Sequence, residues 1–420
     1  MKVAVVGAGI SGLTAALLLA DAHEVTLFES EPRLGGHANT ATVTVDGRSI
    51  HVDTGFIVYN ERNYPGLSRL FQRLKVTTTP TQMSFSVHDT ATRFEFGGAS
   101  IAGLVGSPAN LLSPRWWSVV NGVRTLATTG RRAIKSLPSN ATVADLRDSG
   151  ALSDGLFNDY LLPMAAAIWS APREQMLQFP ARFLLRFFDN HGMLDLRQRP
   201  QWRTVVGGSR NYVQALRDAL RATVRTGSPV RTISRSDTAV SLTLADGTPH
   251  SFDHAVLALH ADDALSLLAD PSPAERDTLA AMPFQANDAT LHTDRSVLPR
   301  RRRCWAAWNY RTNSMLRETD QVAPVSVTYN LSILQHINTA SPICVTLNAH
   351  NAIDPAKVLA RYTYHHPLYT TAGEAARARW SEISGPRRTH FCGAYWFNGF
   401  HEDGVQSALR VARALGGSPL

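Results

Sequence analysis

The hydrophobic pattern changes period within the first thirty residues or so. Lys2–Val6 (KVAVV) is a short β-branched run of the kind that forms a buried strand. A glycine-rich hexapeptide follows at once, and then the longer apolar run LTAALLLADA, which suits a helix. EVTLF, Glu24–Phe28, is a second strand and ends in Glu29. Further along, IHV (Ile50–Val52), VSVTYNLSIL (Val325–Leu334) and ICVTLNA (Ile343–Ala349) read as strands. Residues 151–200 are apolar, rich in Trp and Phe, and read as helical. DPAKVLARY looks like a helix start, with Lys357 a surface residue.

One segment is amphipathic at helical spacing. From Ser113, a suitable N-cap with Pro114 after it, the chain runs to Leu137. Trp116, Val120, Val123, Leu126, Ile134 and Leu137 fall on one face at 100° per residue, and Arg124, Arg131, Arg132 and Lys135 flank it. Two readings are open: a helix lying in an anionic membrane interface, or one packed on a second domain with its basic residues in water. Thr128–Gly130 counts against an unbroken helix.

Composition narrows the class. At 420 residues, 44% hydrophobic and 18% charged, the chain can bury a large core, and two domains are the default. No stretch approaches the ~18 unbroken apolar residues of a membrane span. The net charge of +8 comes almost entirely from arginine, since Lys2, Lys75, Lys135 and Lys357 are the only lysines. That balance favours anionic partners. No nucleic-acid recognition motif accompanies the arginines, so a nucleic-acid partner is not expected. Cys304, Cys344 and Cys392 are far apart and without metal spacing, which suits buried free thiols and no metal site. The glycines that interrupt the N-terminal apolar run argue for a structured unit rather than a secretory signal. The expected location is therefore cytoplasmic, or peripheral on the inner face of the membrane.

The chemistry starts at Gly7-Ala8-Gly9-Ile10-Ser11-Gly12, a G-x-G-x-x-G set between strand and helix. Gly7 permits the turn, Gly9 admits a pyrophosphate to the backbone, and Gly12 lets helix and strand pack closely. The N–H groups and dipole at the helix start favour the anion. Glu29 suits the two hydroxyls of a ribose. A second glycine site, Arg33 with Gly35-Gly36, comes only a few residues later and could add N–H groups and a cation to the same diphosphate. Asp53-Thr54-Gly55-Phe56 follows a strand, where Gly55 would let backbone lie close to a flat ring.

In series, GAGISGL…FESEPRLGGH…VDTGF resembles the flavin-containing amine oxidase and phytoene desaturase superfamily. The resemblance implies FAD and an α/β fold: a Rossmann-like FAD-binding domain of the GR2 type with a discontinuous α+β substrate domain. Its motif blocks suggest 1–80, 201–260 and 376–420 for the cofactor domain, and 81–200 and 261–375 for the substrate domain. By the same resemblance, WRTVVGGSRNYVQALRDAL returns the chain to the cofactor domain, and Val230 lies near the adenine. Gly393 falls in the last flavin-binding strand. The N–H groups of a helix starting near Gly404-Val405 would face the flavin.

Several segments, among them YHHPLY and GFHEDGVQSAL, look like a bacterial subgroup often encoded beside enzymes of the cyclopropane-fatty-acid synthase type. Two departures stand out. The usual Gly-Asp is Gly393-Ala394, so a ribityl contact is absent or moved to Asp403. His37 stands where an Arg often contacts the diphosphate, and it is a weaker, pH-dependent cation.

The resemblance implies hydride transfer from substrate to flavin N5, with oxygen or a quinone as final acceptor. The superfamily's amine oxidases commonly carry a Lys near N5, yet no Lys lies between Lys135 and Lys357. One of their two substrate-steering rings is Phe400 here, without a hydroxyl. An apolar, lipid-like substrate, an unsaturated or branched acyl chain, is therefore expected, with Phe400, Tyr364 and His365 beside it. His401 is a candidate proton acceptor. Glu402 is a second catalytic candidate, although Glu402 or Asp403 would serve equally as a helix cap. Two rivals stay open: an amine oxidase releasing hydrogen peroxide, and a non-catalytic flavoprotein partner of a lipid-modifying methyltransferase.

Overall fold

The computed structural model describes residues 1–194, 199–314 and 326–420. Its first layer is a five-stranded sheet, in spatial order Thr223–Arg225, Glu24–Phe28, Lys2–Val6, His254–Leu257 and Thr389–Phe391. Every pairing in it is parallel. Parallel strands need both faces covered, which is why they read as continuous apolar runs. The helix Ile10–Leu19, buried at all ten positions, and the last helix, His401–Ala414, pack together on this layer. A three-stranded antiparallel sheet (Val230–Arg235, Val240–Leu244, Pro249–Phe252) also packs into this core, with Phe252 edge-on to Phe28 at 5.9 Å.

The second layer is a seven-stranded mixed sheet. Its order is Val358–Pro367, Phe284–His292, Cys344–Leu347, Ser326–Asn330, Trp308–Thr312, Phe85–Asp89 and Glu95–Gly97. Helices Pro114–Ser136, Leu162–Trp169 and Ala181–Asn190 build a second apolar core beside it. All seven strands lie within 81–200 and 261–375, and all five parallel strands within 1–80, 201–260 and 376–420. The crossover after 260 falls later than the motif blocks suggest. Ala261, Ala264, Leu268, Leu279 and Met282 are buried in the core of the parallel-sheet layer.

Three local expectations change. DPAKVLARY is not a helix: after a single 3-10 turn at Pro355–Lys357, Val358–Pro367 pairs antiparallel with Phe284–His292. Asp354 folds its carboxylate onto the Ala356 N–H at 3.0 Å, closing the turn, and the alternating residues beyond it suit an edge strand. In VSVTYNLSIL the strand ends at Asn330 and Leu331–Leu334 form a helical turn, while Val325 lies outside the described residues. The helical reading of 151–200 also covers 195–198, outside the described residues.

The third change concerns the long helix. Pro114–Ser136 runs unbroken through Thr128–Gly130. Its buried stripe is Trp116, Val119, Gly122, Leu126, Gly130 and Ala133, rotated from the expected face. The glycines explain both facts. A Cβ at Gly122 would meet Leu156 and one at Gly130 would meet Leu194 at 3.2 Å, so the cost of two glycines is offset by close packing. With this stripe buried in the protein, and Val120, Val123 and Ile134 packed half-buried against the same core, the helix's length offers no apolar face to a membrane. Among the described residues no helix is long and apolar enough to cross one.

Candidate functional site

One continuous cavity of about 1150 Å³ joins the two layers. At one end it is walled by Gly7–Ser11, Glu29, Arg33 and Gly35–His37, at the other by Met164, Trp169, Phe187 and Phe400. Gly55, Phe56, Val230, Tyr364, His365, Gly393 and His401 line the stretch between or beside these ends.

The glycine end is set by the backbone. Gly7 has φ of +97°, and a Cβ at Gly12 would clash with the Gly7 carbonyl, so both need glycine for the turn and the helix contact. Gly9 differs: a Cβ there meets nothing within 4 Å, because the position faces the open cavity. Gly36 packs beside it, its own Cβ position 3.1 Å from Gly9 Cα, and the Gly35 N–H donates to Ala8 O at 2.8 Å. The second glycine site thus lies alongside the first, and Gly9 and Gly35 form a parallel bridge. Arg33 donates to Gly36 O at 3.0 Å across the same loop.

Glu29 ends its strand inside this corner. Its Oε2 accepts the Ala8 N–H at 2.7 Å and its Oε1 the Glu31 N–H at 2.9 Å and the Ser30 hydroxyl at 3.1 Å. An ionised carboxylate has about four acceptor sites, which leaves capacity for a ligand hydroxyl. His37 is not a cation here. Burial, together with the His366, His260 and His401 imidazoles, holds it well below its usual range, and its Nε2 contacts His365 O at 3.2 Å. The imidazole of His365 itself is exposed, and the more buried neighbour, His366, is lowered to about 4 by burial.

The middle of the cavity rests on Asp53. This buried carboxylate accepts Ser209 N–H at 2.8 Å, Ser209 Oγ at 2.7 Å, Thr40 Oγ1 at 2.6 Å and Gln335 Nε2 at 2.9 Å. It therefore ties the Thr40–Val45/Arg48–Asp53 hairpin to the Gly207-Gly208 turn and to the second layer. Burial raises it to about 6 despite these donors. Gly55 is needed for a different close approach than expected: a Cβ would clash with His37 O, which accepts the Phe56 N–H at 2.8 Å. Tyr364 reaches back to Thr54 Oγ1 at 2.6 Å and Asn39 Nδ2 at 2.9 Å.

The last helix starts earlier than the sequence suggests. Phe400 is its N-cap and His401 its first residue. Asp403 accepts the Phe400 N–H at 2.8 Å and Asn398 Nδ2 at 3.1 Å, so it caps the helix instead of lining the cavity, and burial pushes it up to about 7. The Gly404 N–H already donates to Phe400 O at 3.0 Å. Gly404 and Val405 lie outside the cavity wall. Gly404 is a packing glycine, with a Cβ position 2.8 Å from Ser11 Oγ, and it brings the first and last helices together. The free N–H groups of this terminus belong to the turn beginning at His401.

Glu402 is likewise spent elsewhere. Its oxygens accept the Gly66 and Leu67 N–H groups at 3.0 and 2.8 Å, capping the helix Pro65–Arg73. His401 does line the cavity. Its ring stacks on Phe56 at 3.7 Å, its Nε2 is 2.9 Å from Tyr212 Oη, and burial lowers it to about 3, so it is a neutral imidazole. Lys357 pairs with Asp294 and Asp354 at 3.3 and 3.2 Å and is absent from the cavity wall.

The far end comes from segments that no motif marked. Phe400 stacks with Phe187 at 5.1 Å, Phe187 with His191 at 3.9 Å, and Trp169 lies 4.8 Å from Phe187. Arg199 lies against the Tyr160 hydroxyl on the same wall. The acidic residues of the described wall are Glu29, Glu31 and Asp263, with no carboxylate among the aromatic rings.

A parallel sheet, a glycine turn at a helix N-terminus, and an acid at the end of the second strand define a dinucleotide-binding flavoprotein fold. A family model described as flavin containing amine oxidoreductase matches residues 10–303, and the chain belongs to that family. Its cofactor is FAD, and the residues present fit it: an open cradle at Gly9, a spare acceptor at Glu29, and one cavity long enough to reach the last helix.

A protein named flavin-containing monoamine oxidase AofH, from Mycobacterium tuberculosis, is 26% identical over 257 residues, 59% of this chain and 54% of that one. The chain thus matches about half the length of this relative. A protein named zeta-carotene desaturase from Synechococcus elongatus is 39% identical over 70 residues, 16% of this chain and 14% of that one. Among solved structures, a conjugated-linoleic-acid-producing fatty acid isomerase from P. acnes superposes with a TM-score of 0.71 at 16% identity, covering 98% of each chain. That last likeness speaks to the fold alone.

Proposed function

We propose that this protein oxidises an apolar, lipid-like chain, an unsaturated or methyl-branched acyl group, with FAD as its cofactor. The observation that carries the reading is the composition of the far cavity wall. Aromatic and aliphatic side chains crowd it, and among the described residues it offers no carboxylate to an ammonium ion and no lysine. Burying a cationic amine there without a partner would cost several kcal/mol, on the order of a desolvated ion. An acyl chain loses nothing and gains about 0.8 kcal/mol per buried CH₂.

Bound FAD supplies a two-electron hydride acceptor. The chain's own residues then bind and orient. Gly9, Gly36 and Arg33 hold the diphosphate, Glu29 the ribose, and Val230 the adenine side. Phe400, Phe187 and Trp169 hold the acyl chain and exclude water. Arg199, beside Tyr160, suits the carboxylate end of such a substrate. The loss of hydride is balanced by release of a proton; His401, at the wall and held at about 3 by burial, would hand such a proton on and not retain it.

Anaerobic mixing of the FAD-loaded protein with unsaturated fatty acids, and separately with a panel of primary and secondary amines, tests this. Bleaching of the flavin band by acyl chains and not by amines is expected. Reduction by amines alone, with hydrogen peroxide released in air, would replace this reading with amine oxidation.

A further inference from the structure

The described surface carries six large, substantially exposed apolar side chains besides the N-terminal Met1, and five of them share one neighbourhood. Ile101 and Leu104 sit at i and i+3 on the short helix Ile101–Val105, exposed 84% and 37%. Leu111 and Leu112, exposed 45% and 88%, end the 3-10 turn Pro108–Leu112. Trp117, 42% exposed, stands on the first turn of the long helix. Hydrogen bonds lock these pieces together: Trp116 Nε1 donates to Leu104 O and Trp117 Nε1 to Leu111 O, each at 2.9 Å, and Asn110 Nδ2 bonds to Val105 O at 2.9 Å and Glu95 O at 3.0 Å. The apolar tips are therefore held outward on a fixed scaffold.

The charge around the patch is mainly positive, with the exposed Asp154 the acid that comes near Trp117, through Ser153 and Ser118. Between Glu95 and Asp145 the sequence contains no acidic residue. The arginine run Arg300–Arg303 packs against the same unit, with Arg303 O beside Gly103 and Cys304 Sγ 3.7 Å from Gly103 O. Glu95, the nearest acid in sequence, is buried and already engaged by Arg301 at 2.7 Å. Arg300, Arg302 and Arg303 remain exposed. Aliphatic tips with a Trp beside them and a basic rim match the interface of an anionic bilayer: acyl chains for the tips, headgroup phosphates for the guanidiniums.

We propose that this tip, and not the length of the long helix, docks the protein on an anionic membrane surface. The inference stands apart from the choice of substrate, since it rests on residues outside the cavity wall.

Co-sedimentation of the FAD-loaded protein with phosphatidylcholine vesicles, with and without phosphatidylglycerol, tests it. Binding to the anionic vesicles is expected, about tenfold tighter than to the neutral ones and weakening with salt. Ile101→Glu with Leu112→Glu should weaken binding to both by about tenfold or more. Arg302→Glu with Arg303→Glu should remove the preference for phosphatidylglycerol. All four side chains are exposed, so flavin absorbance and Tm should stay at wild-type values in both variants and show that the fold is intact. The proposal fails if neither vesicle binds, if correctly folded variants bind like the parent, or if the patch proves to hold a second copy or another protein in place of lipid.

Discussion

The two ends of the cavity are built by opposite rules. At the glycine end, backbone contacts and the Glu29 carboxylate set most of the wall, largely within one stretch from Lys2 to His37. At the aromatic end, the wall is side-chain volume delivered by three separated segments: Leu162–Trp169, Ala181–Asn190 and the residues before the last helix. The first end has to match a fixed anion, and a misplaced atom there is a clash. The second has only to be apolar and of the right size, so it tolerates exchange of volume and sets which substrate fits.

Substitutions sharpen this contrast. The largest effect is expected at Gly12→Ala, where the new Cβ would collide with the Gly7 carbonyl. A loss of more than about 4 kcal/mol, with failure to retain flavin, should appear in denaturant unfolding. Phe187→Ala removes a ring that is 4% exposed and should cost about 3 kcal/mol, yet leave the flavin spectrum intact while raising KM for an acyl substrate. Loss of flavin in that variant would break the separation between the two ends.

Asp53→Ala strands the Ser209, Thr40 and Gln335 donors and should cost about 2–3 kcal/mol, with weaker flavin retention because the hairpin loses its anchor. Gly9→Val should change stability least, by under about 1 kcal/mol, since the position faces open space, while abolishing flavin binding. Equal stability losses at Gly9 and Gly12 would show that both serve packing alone.

Acid should act on the two ends together. Burial holds His191, His366 and His390 near 4 and His401 near 3. These groups stay neutral in the fold while the unfolded chain takes up protons below about 6.5, so their contribution to stability falls as pH drops from there toward 4. Asp53 and Asp403, raised to about 6 and about 7, work in the opposite sense: the folded state holds their protons more tightly, which favours it as pH falls through those values. The histidines are more numerous, and a net fall in Tm of a few degrees between pH about 6.5 and 5 is expected in a thermal melt.

The chain's local chemistry announced the elements of the first end, though not the neutral state of His37. The strand, the turn, the first helix and Glu29 occur where the sequence places them, because a parallel strand flanked by a glycine turn leaves little conformational choice. The second glycine site was legible as a site, and the structure places it alongside Gly9. The last helix was legible only as an element. Its start depended on which acid capped it, and Asp403, Glu402 and Gly404 each carried a cap, a neighbour's cap or a packing contact in place of the expected role.

What the sequence determined by itself was the cofactor corner, since that corner is made of neighbours in the chain. The substrate wall, the anchoring role of Asp53, the neutral state of His37 and the exposed tip around Leu112 were decided only when distant segments met. Desolvation and contact there depend on partners scores to hundreds of residues away, and no local pattern encodes which of them arrive.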